Sequence, residues 1–120
     1  MNDTVRDGQI AEAVKLASSY KEPVVLMGDF NTRPTSSFLD RAYSGAVYGA
    51  PAYGTFSEAA SMQGAAPCRC GEATQGSAKV DFIFESTTAF TPQNPSVEAS
   101  SYSDHKRLWA TLSWHGFTST

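Results

Sequence analysis

The sequence predicts an α+β domain in which one mixed sheet carries helices on one face. Three observations lead there: an amphipathic helix near the N-terminus, a wholly apolar run directly after it, and later segments with strand patterning separated by turn-rich stretches.

The first element runs from Thr4 to about Tyr20. Ile10, Ala13, Val14 and Ala17 recur on one face at helical spacing, while Asp7, Glu12, Lys15 and Ser19 fall elsewhere. Asn2, Asp3 or Thr4 can cap it, and Lys21-Glu22-Pro23 ends it, because the residue before a proline avoids the helical region. Pro23 to Met27 reads as a strand buried on both faces, closed by Gly28, with Asp29 and Asn31 just past its end. A short second helix passes through Phe38, Leu39 and Tyr43, capped by Thr35 or Ser36. Residues 45 to 78, rich in alanine and glycine, read as loop with a short strand at Thr55-Phe56. Strands are then expected from Lys79 to Ser86, near Val97 to Ser100, and from Leu108 to Trp114, the last covered on one face. Residues 118 to 120 form a polar tail.

Composition narrows the functional classes. A chain of 120 residues that is 41% hydrophobic supports one small domain with a modest core. It contains no apolar run of the roughly eighteen residues that a membrane span needs, and its first residues are polar, so neither a span nor a signal peptide is expected. Nine basic and twelve acidic residues give a net charge of −3, without the basic stripe of a dedicated nucleic-acid binder. A polyanionic substrate would therefore need a bound cation to attract it. Cys68 and Cys70 stand one residue apart in a predicted loop; with His105 and His115 they are the only Cys and His residues, and a strained disulfide or two free thiols describes them better than a zinc site.

Three strings carry the chemistry: Gly28-Asp29-Phe30-Asn31, Val80-Asp81-Phe82-Ile83-Phe84 and Ser103-Asp104-His105. Each sets a carboxylate, amide or imidazole beside an apolar run, the way a buried strand delivers a polar group to a cleft at its end. Taken singly, Asp29 and Asn31 are ordinary turn residues, and Asp104-His105 is an ordinary loop pair. Asp81 is harder to place so, because a carboxylate between Val80 and Phe82 is costly unless paired or metal-bound. His115 reads as a surface residue, Lys79, Arg33 and Arg107 as cations that could touch phosphate but by default are solvated, and Tyr43, Tyr48 and Tyr53 as packing or loop residues.

Joined in this order, the strings resemble the C-terminal half of the endonuclease/exonuclease/phosphatase superfamily, whose fold is that of deoxyribonuclease I. The resemblance spans nearly the whole chain and extends to Arg6 and Gln9 (R-x-x-Q), Pro34 and Ser36, Thr55-Phe56, Lys79 to Phe84, and Ser103 to Trp109. It implies residues 1–117 as a partial domain, the C-terminal half of a four-layer α/β sandwich. It also implies a metal-dependent phosphodiester hydrolase using Mg2+ or Mn2+. Asp29 would contact the attacking water or the metal, and Asn31 would hold the phosphate or orient that water. His105 would bind a phosphate oxygen or transfer a proton, with Asp81 fixing its tautomer, and Asp104 would be a metal ligand.

The family's first half supplies a metal-binding Glu and a strand-end His, which Glu12 and Glu22 do not replace. The chain would hold one side of a cleft, inactive alone, with an exposed apolar sheet face. A missing N-terminal half or a second copy in a homo-oligomer would cover that face, and a non-catalytic self-associating or interaction module is the alternative reading. The segment before Lys79 is most similar to generic bacterial members, many of them secreted, whose substrates include nucleic acids, phospholipids and small phosphodiesters.

Overall fold

A computed structural model describes residues 3–43, 56–60 and 71–116. Cys68, Cys70, Tyr48, Tyr53, Thr55 and the polar tail lie outside the described residues. The architecture is α+β: helix α1 (Asp3–Ser18), strand β1 (Val25–Asp29), a 3-10 helix (Ser37–Arg41), then strands β2 (Phe56–Glu58), β3 (Asp81–Ser86), β4 (Phe90–Glu98) and β5 (Arg107–Trp114).

Helix α1 forms as its apolar spacing predicts. Ile10, Val14 and Ala17 are buried against Leu39, Ala42, Phe56, Phe82 and Phe84, while Glu12, Lys15 and Leu16 face outward. The Arg41 guanidinium holds the Asp7 carboxylate at 2.9 Å through both Nε and Nη2, fastening the 3-10 helix to α1. The Ser36 hydroxyl caps the 3-10 helix by accepting from the Phe38 N–H at 3.2 Å.

The strands form two antiparallel sheets rather than the expected single mixed one: β1-β3-β2 and β4-β5. The reason lies in β3, whose two hydrogen-bonding edges are taken by β1 and β2, so β5 lies against β3 without joining its ladder. Among the described residues, parallel pairing survives only as one bridge between Tyr43 and Phe56. β4 starts earlier than its expected range near Val97, and it carries Pro92, Asn94 at φ 50° and a register shift between Gln93 and Ser96. Among the described residues it pairs on one side only, and such an edge is where prolines and bulges are tolerated.

One face of the three-stranded sheet carries Leu26, Phe82, Phe84 and Phe56 into the core, where Phe30 meets Phe82 and Phe84 edge to face with centroids 5.6 and 5.4 Å apart. Tyr43 packs on Phe84 at 5.3 Å, as a packing residue should. The expectation that β1 is buried on both faces is not met. Val25 and Met27 point to the other face and are 42% and 68% exposed, because α1 and the 3-10 helix cover only the first face. No described helix is long and apolar enough to cross a membrane.

Candidate functional site

The register of β1 against β3 sets Asp29 directly opposite Asp81 at one end of the sheet. Directly paired like charges repel, so the ladder leaves an electrostatic demand at this spot. His105, from the segment entering β5, answers it. Its Nδ1 donates to Asp81 Oδ2 at 2.7 Å, and its Nε2 lies 3.5 Å from Asp29 Oδ2. The three groups offer ligand atoms within 4.8 Å of one another. The Asp81 hydrogen bond raises the His105 pKa above its ordinary value, with the Asp81, Asp29 and Asp104 charges acting the same way against desolvation.

Short polar side chains hold the site residues. The Asn31 N–H donates to Asp29 Oδ1 at 2.8 Å, and Asn31 itself sits at φ 51°, a left-handed position that asparagine tolerates well. The His105 N–H donates to the Ser103 hydroxyl at 3.0 Å, which gives the serine of the S-D-H string a local structural task. Both turns rigidify the chain where it presents a chemical group.

Asp29, Asn31, Asp81 and His105 are thus placed at one end of the sheet. Asp104 is not. It is exposed and accepts from Gln75 Nε2 at 2.9 Å, outside the Asp29, Asp81 and His105 group, and that hydrogen bond lowers its pKa. Glu12 and Glu22 are exposed and outside it as well. Arg107 pairs with Glu98 at 3.1 Å on the surface, and His115 is exposed.

Lys79 departs from the surface reading. It is 4% exposed, its Nζ lies 3.3 Å from Glu58 Oε1, 2.8 Å from the Asp81 carbonyl oxygen and 4.6 Å from the Phe82 ring centroid. Burial pulls its pKa down, and the Glu58 carboxylate opposes that shift. Glu58 also accepts the Ile83 and Ala60 N–H groups at 3.0 and 2.9 Å, so it terminates β2 and anchors the lysine that supports Asp81.

Thr74, which the sequence does not single out, ties the two halves of the site together. Its buried hydroxyl accepts the Val80 and Asp81 N–H groups at 3.0 and 3.1 Å, and its carbonyl accepts the Lys106 N–H at 2.6 Å. One residue therefore fixes the start of the Asp81 strand and the residue following His105. A lone threonine in a turn-rich stretch carries no motif by which this could be read.

Two hollows flank the cluster on the Asn31 side. One, of about 230 Å³, runs from Met27, Gly28 and Asp29 to Gln9 and Ile10; the other, of about 390 Å³, is polar, and both are lined by Arg6 and Asn31. No family model matches the chain, and neither a curated protein nor a solved structure matches it.

Proposed function

We propose that this chain forms one wall of the active centre of a metal-dependent phosphodiester hydrolase of the endonuclease/exonuclease/phosphatase type. The observation that carries the reading is the series Asp81, His105, Asp29 at 2.7 and 3.5 Å, with Asn31 fastened to Asp29. A histidine held between two carboxylates favours the imidazolium, a donor suited to a phosphoryl oxygen. Asp81 accepts the Nδ1–H hydrogen bond and fixes the ring, leaving Nε2 to face a substrate oxygen or pass a proton to it. The Asn31 side-chain amide adds a neutral donor for the same phosphate.

The donor set also suits a hard divalent cation, which takes oxygen ligands and retains water. Asp29 would hold Mg2+ or Mn2+, with Asp81 and His105 beside it. When bound, the cation would offset charge on the phosphoryl oxygens and lower the pKa of a water.

The exposed Val25 and Met27 fit a four-layer sandwich from which the partner sheet is missing, so that the chain is its C-terminal half. That same face favours a second reading, a non-catalytic module that self-associates through its sheet. Sedimentation of the chain as a monomer across a wide concentration range would eliminate this second reading. For the hydrolase, Mn2+ titration and hydrolysis of bis-p-nitrophenyl phosphate are measured for the chain and its Asp29→Ala and His105→Ala variants. Loss of Mn2+ binding in Asp29→Ala supports the assignment, and binding or turnover that neither substitution alters refutes it.

A further inference from the structure

The polar hollow beyond Asn31 belongs to none of the roles assigned above. It is lined by Arg6, Arg33, Thr35, Ser36 and Ser37 along with Asn31, and among the described residues its lining contains no carboxylate although the chain as a whole carries a net charge of −3. Arg33 is exposed and sits two residues beyond Asn31. Hydroxyls, an amide and the exposed Arg33 guanidinium around an open volume of about 390 Å³ form a donor-rich surface for an anion.

Its position determines what kind of anion. Asn31 lines this hollow and is hydrogen-bonded to Asp29, so the hollow begins where the cluster of Asp29, Asp81 and His105 ends. The neighbouring hollow on the other side of Arg6 is largely apolar, with Ile10, Ala13, Leu26, Met27 and Phe30 in its wall. A ligand whose phosphoester lies at the cluster would thus meet an apolar wall along one path and cationic donors along the other.

Resting on the phosphoesterase reading above, we infer that the Arg6 and Arg33 hollow is a second anion subsite, which selects phosphoesters carrying an additional phosphate next to the one at the cluster. The guanidinium of Arg33 supplies the charge, and Thr35 and Ser37 supply neutral donors. A substrate with a neutral or cationic group in that direction gains nothing from it.

Calorimetric titration of the chain with thymidine 3′,5′-bisphosphate and with thymidine 5′-monophosphate, both with Mn2+ present, tests this. The bisphosphate is expected to bind about fivefold more tightly, in line with a charge-assisted contact in a solvated hollow, and the advantage should shrink as salt is raised. Arg33→Gln should remove most of that ratio, while Lys21→Gln, the same loss of one positive charge beyond the far end of α1 from Arg6, should leave it intact. Equal affinities in the unaltered chain, or a ratio that persists in Arg33→Gln, overturns the subsite. The hydrolase reading fails by a different result, Mn2+ binding indifferent to Asp29→Ala, and the bisphosphate-to-monophosphate ratio reports on Arg33 whichever way that result falls.

Discussion

Glu85 is fully shielded from solvent in the middle of the three-stranded sheet, paired across it with Val25 and Ser57. The Ser57 hydroxyl donates to its Oε1 at 3.1 Å, while Oε2 has no partner among the described residues. Burial pushes its carboxyl from 4.5 up to about 7, and the nearby Glu58 carboxylate adds to the shift. Below about pH 4.5 the group is protonated in both the folded and unfolded chain and costs nothing. As pH rises from there to about 7, the unfolded chain ionises while the folded one keeps its proton, so stability falls, and the full penalty is present above about pH 7. The interval corresponds to roughly 3 kcal/mol at about 1.4 kcal/mol per pH unit, and water reaching the open sheet face lowers it to about 2. Glu85→Gln keeps the shape and the acceptor for Ser57 without the charge. Urea unfolding followed by tryptophan fluorescence should show the variant more stable by about 2 kcal/mol near pH 8 and not more stable near pH 4. His105 also loses its stabilising contribution as pH rises through its raised pKa, but it is common to both proteins and cancels in the difference. A difference between the two proteins that stays constant across this pH range would refute the argument.

Lys79→Met leaves the Glu58 carboxylate buried without its counter-charge and should cost about 3 to 5 kcal/mol in the same unfolding measurement. Gly71→Ala would set a Cβ 2.5 Å from the Ala60 carbonyl oxygen, a backbone atom that cannot swing away, and should destabilise the chain by about 1 to 3 kcal/mol, read as a lower urea midpoint. In Asp81→Asn, the strongest cause of the raised His105 pKa is removed, so an NMR titration of the imidazole should find it moved down toward its ordinary value. Thr74→Val deletes the acceptor for the buried Val80 N–H and the half-buried Asp81 N–H and should lower stability by about 1 to 3 kcal/mol while broadening the His105 imidazole signals.

Elements with a local cause were legible in the sequence. The spacing of Ile10, Val14 and Ala17 gives α1, and the cost of a carboxylate in an apolar strand shows that Asp81 needs a partner, while His105 as that partner came only from the resemblance. What failed depends on partners. An apolar run from Pro23 to Met27 shows that both strand faces favour burial, but not that something is present to bury them, and Val25 and Met27 stand exposed. β4 extends well before the expected stretch near Val97, since Pro92 and Pro95 are tolerated along an edge strand. The resemblance names Asp104 as a metal ligand beside His105, and here its carboxylate accepts from Gln75 in a bend, a contact that adjacency in the chain does not reveal. Glu58, Thr74 and Glu85 carry no periodicity or motif, and Lys79 stands in a motif string that does not show its burial; the importance of all four comes from burial, which arises only when distant strands meet.

The site gains a physical rationale from the sheet register. Antiparallel pairing of β1 and β3 places Val25 beside Glu85, Met27 beside Ile83 and Asp29 beside Asp81, and the same ladder that packs phenylalanines on one face forces two carboxylates together at its end. Such a pair is unfavourable on its own, so a neighbouring positive group stabilises the fold in addition to any chemistry it performs. The His105 imidazolium is one such group and a divalent cation is another, which makes imidazole protonation and cation binding competing answers to one charge. Mn2+ affinity should accordingly rise with pH through the His105 titration, as the proton that occupies the same field is lost. An affinity that does not change with pH across that range would show that the two carboxylates do not share their field with the cation.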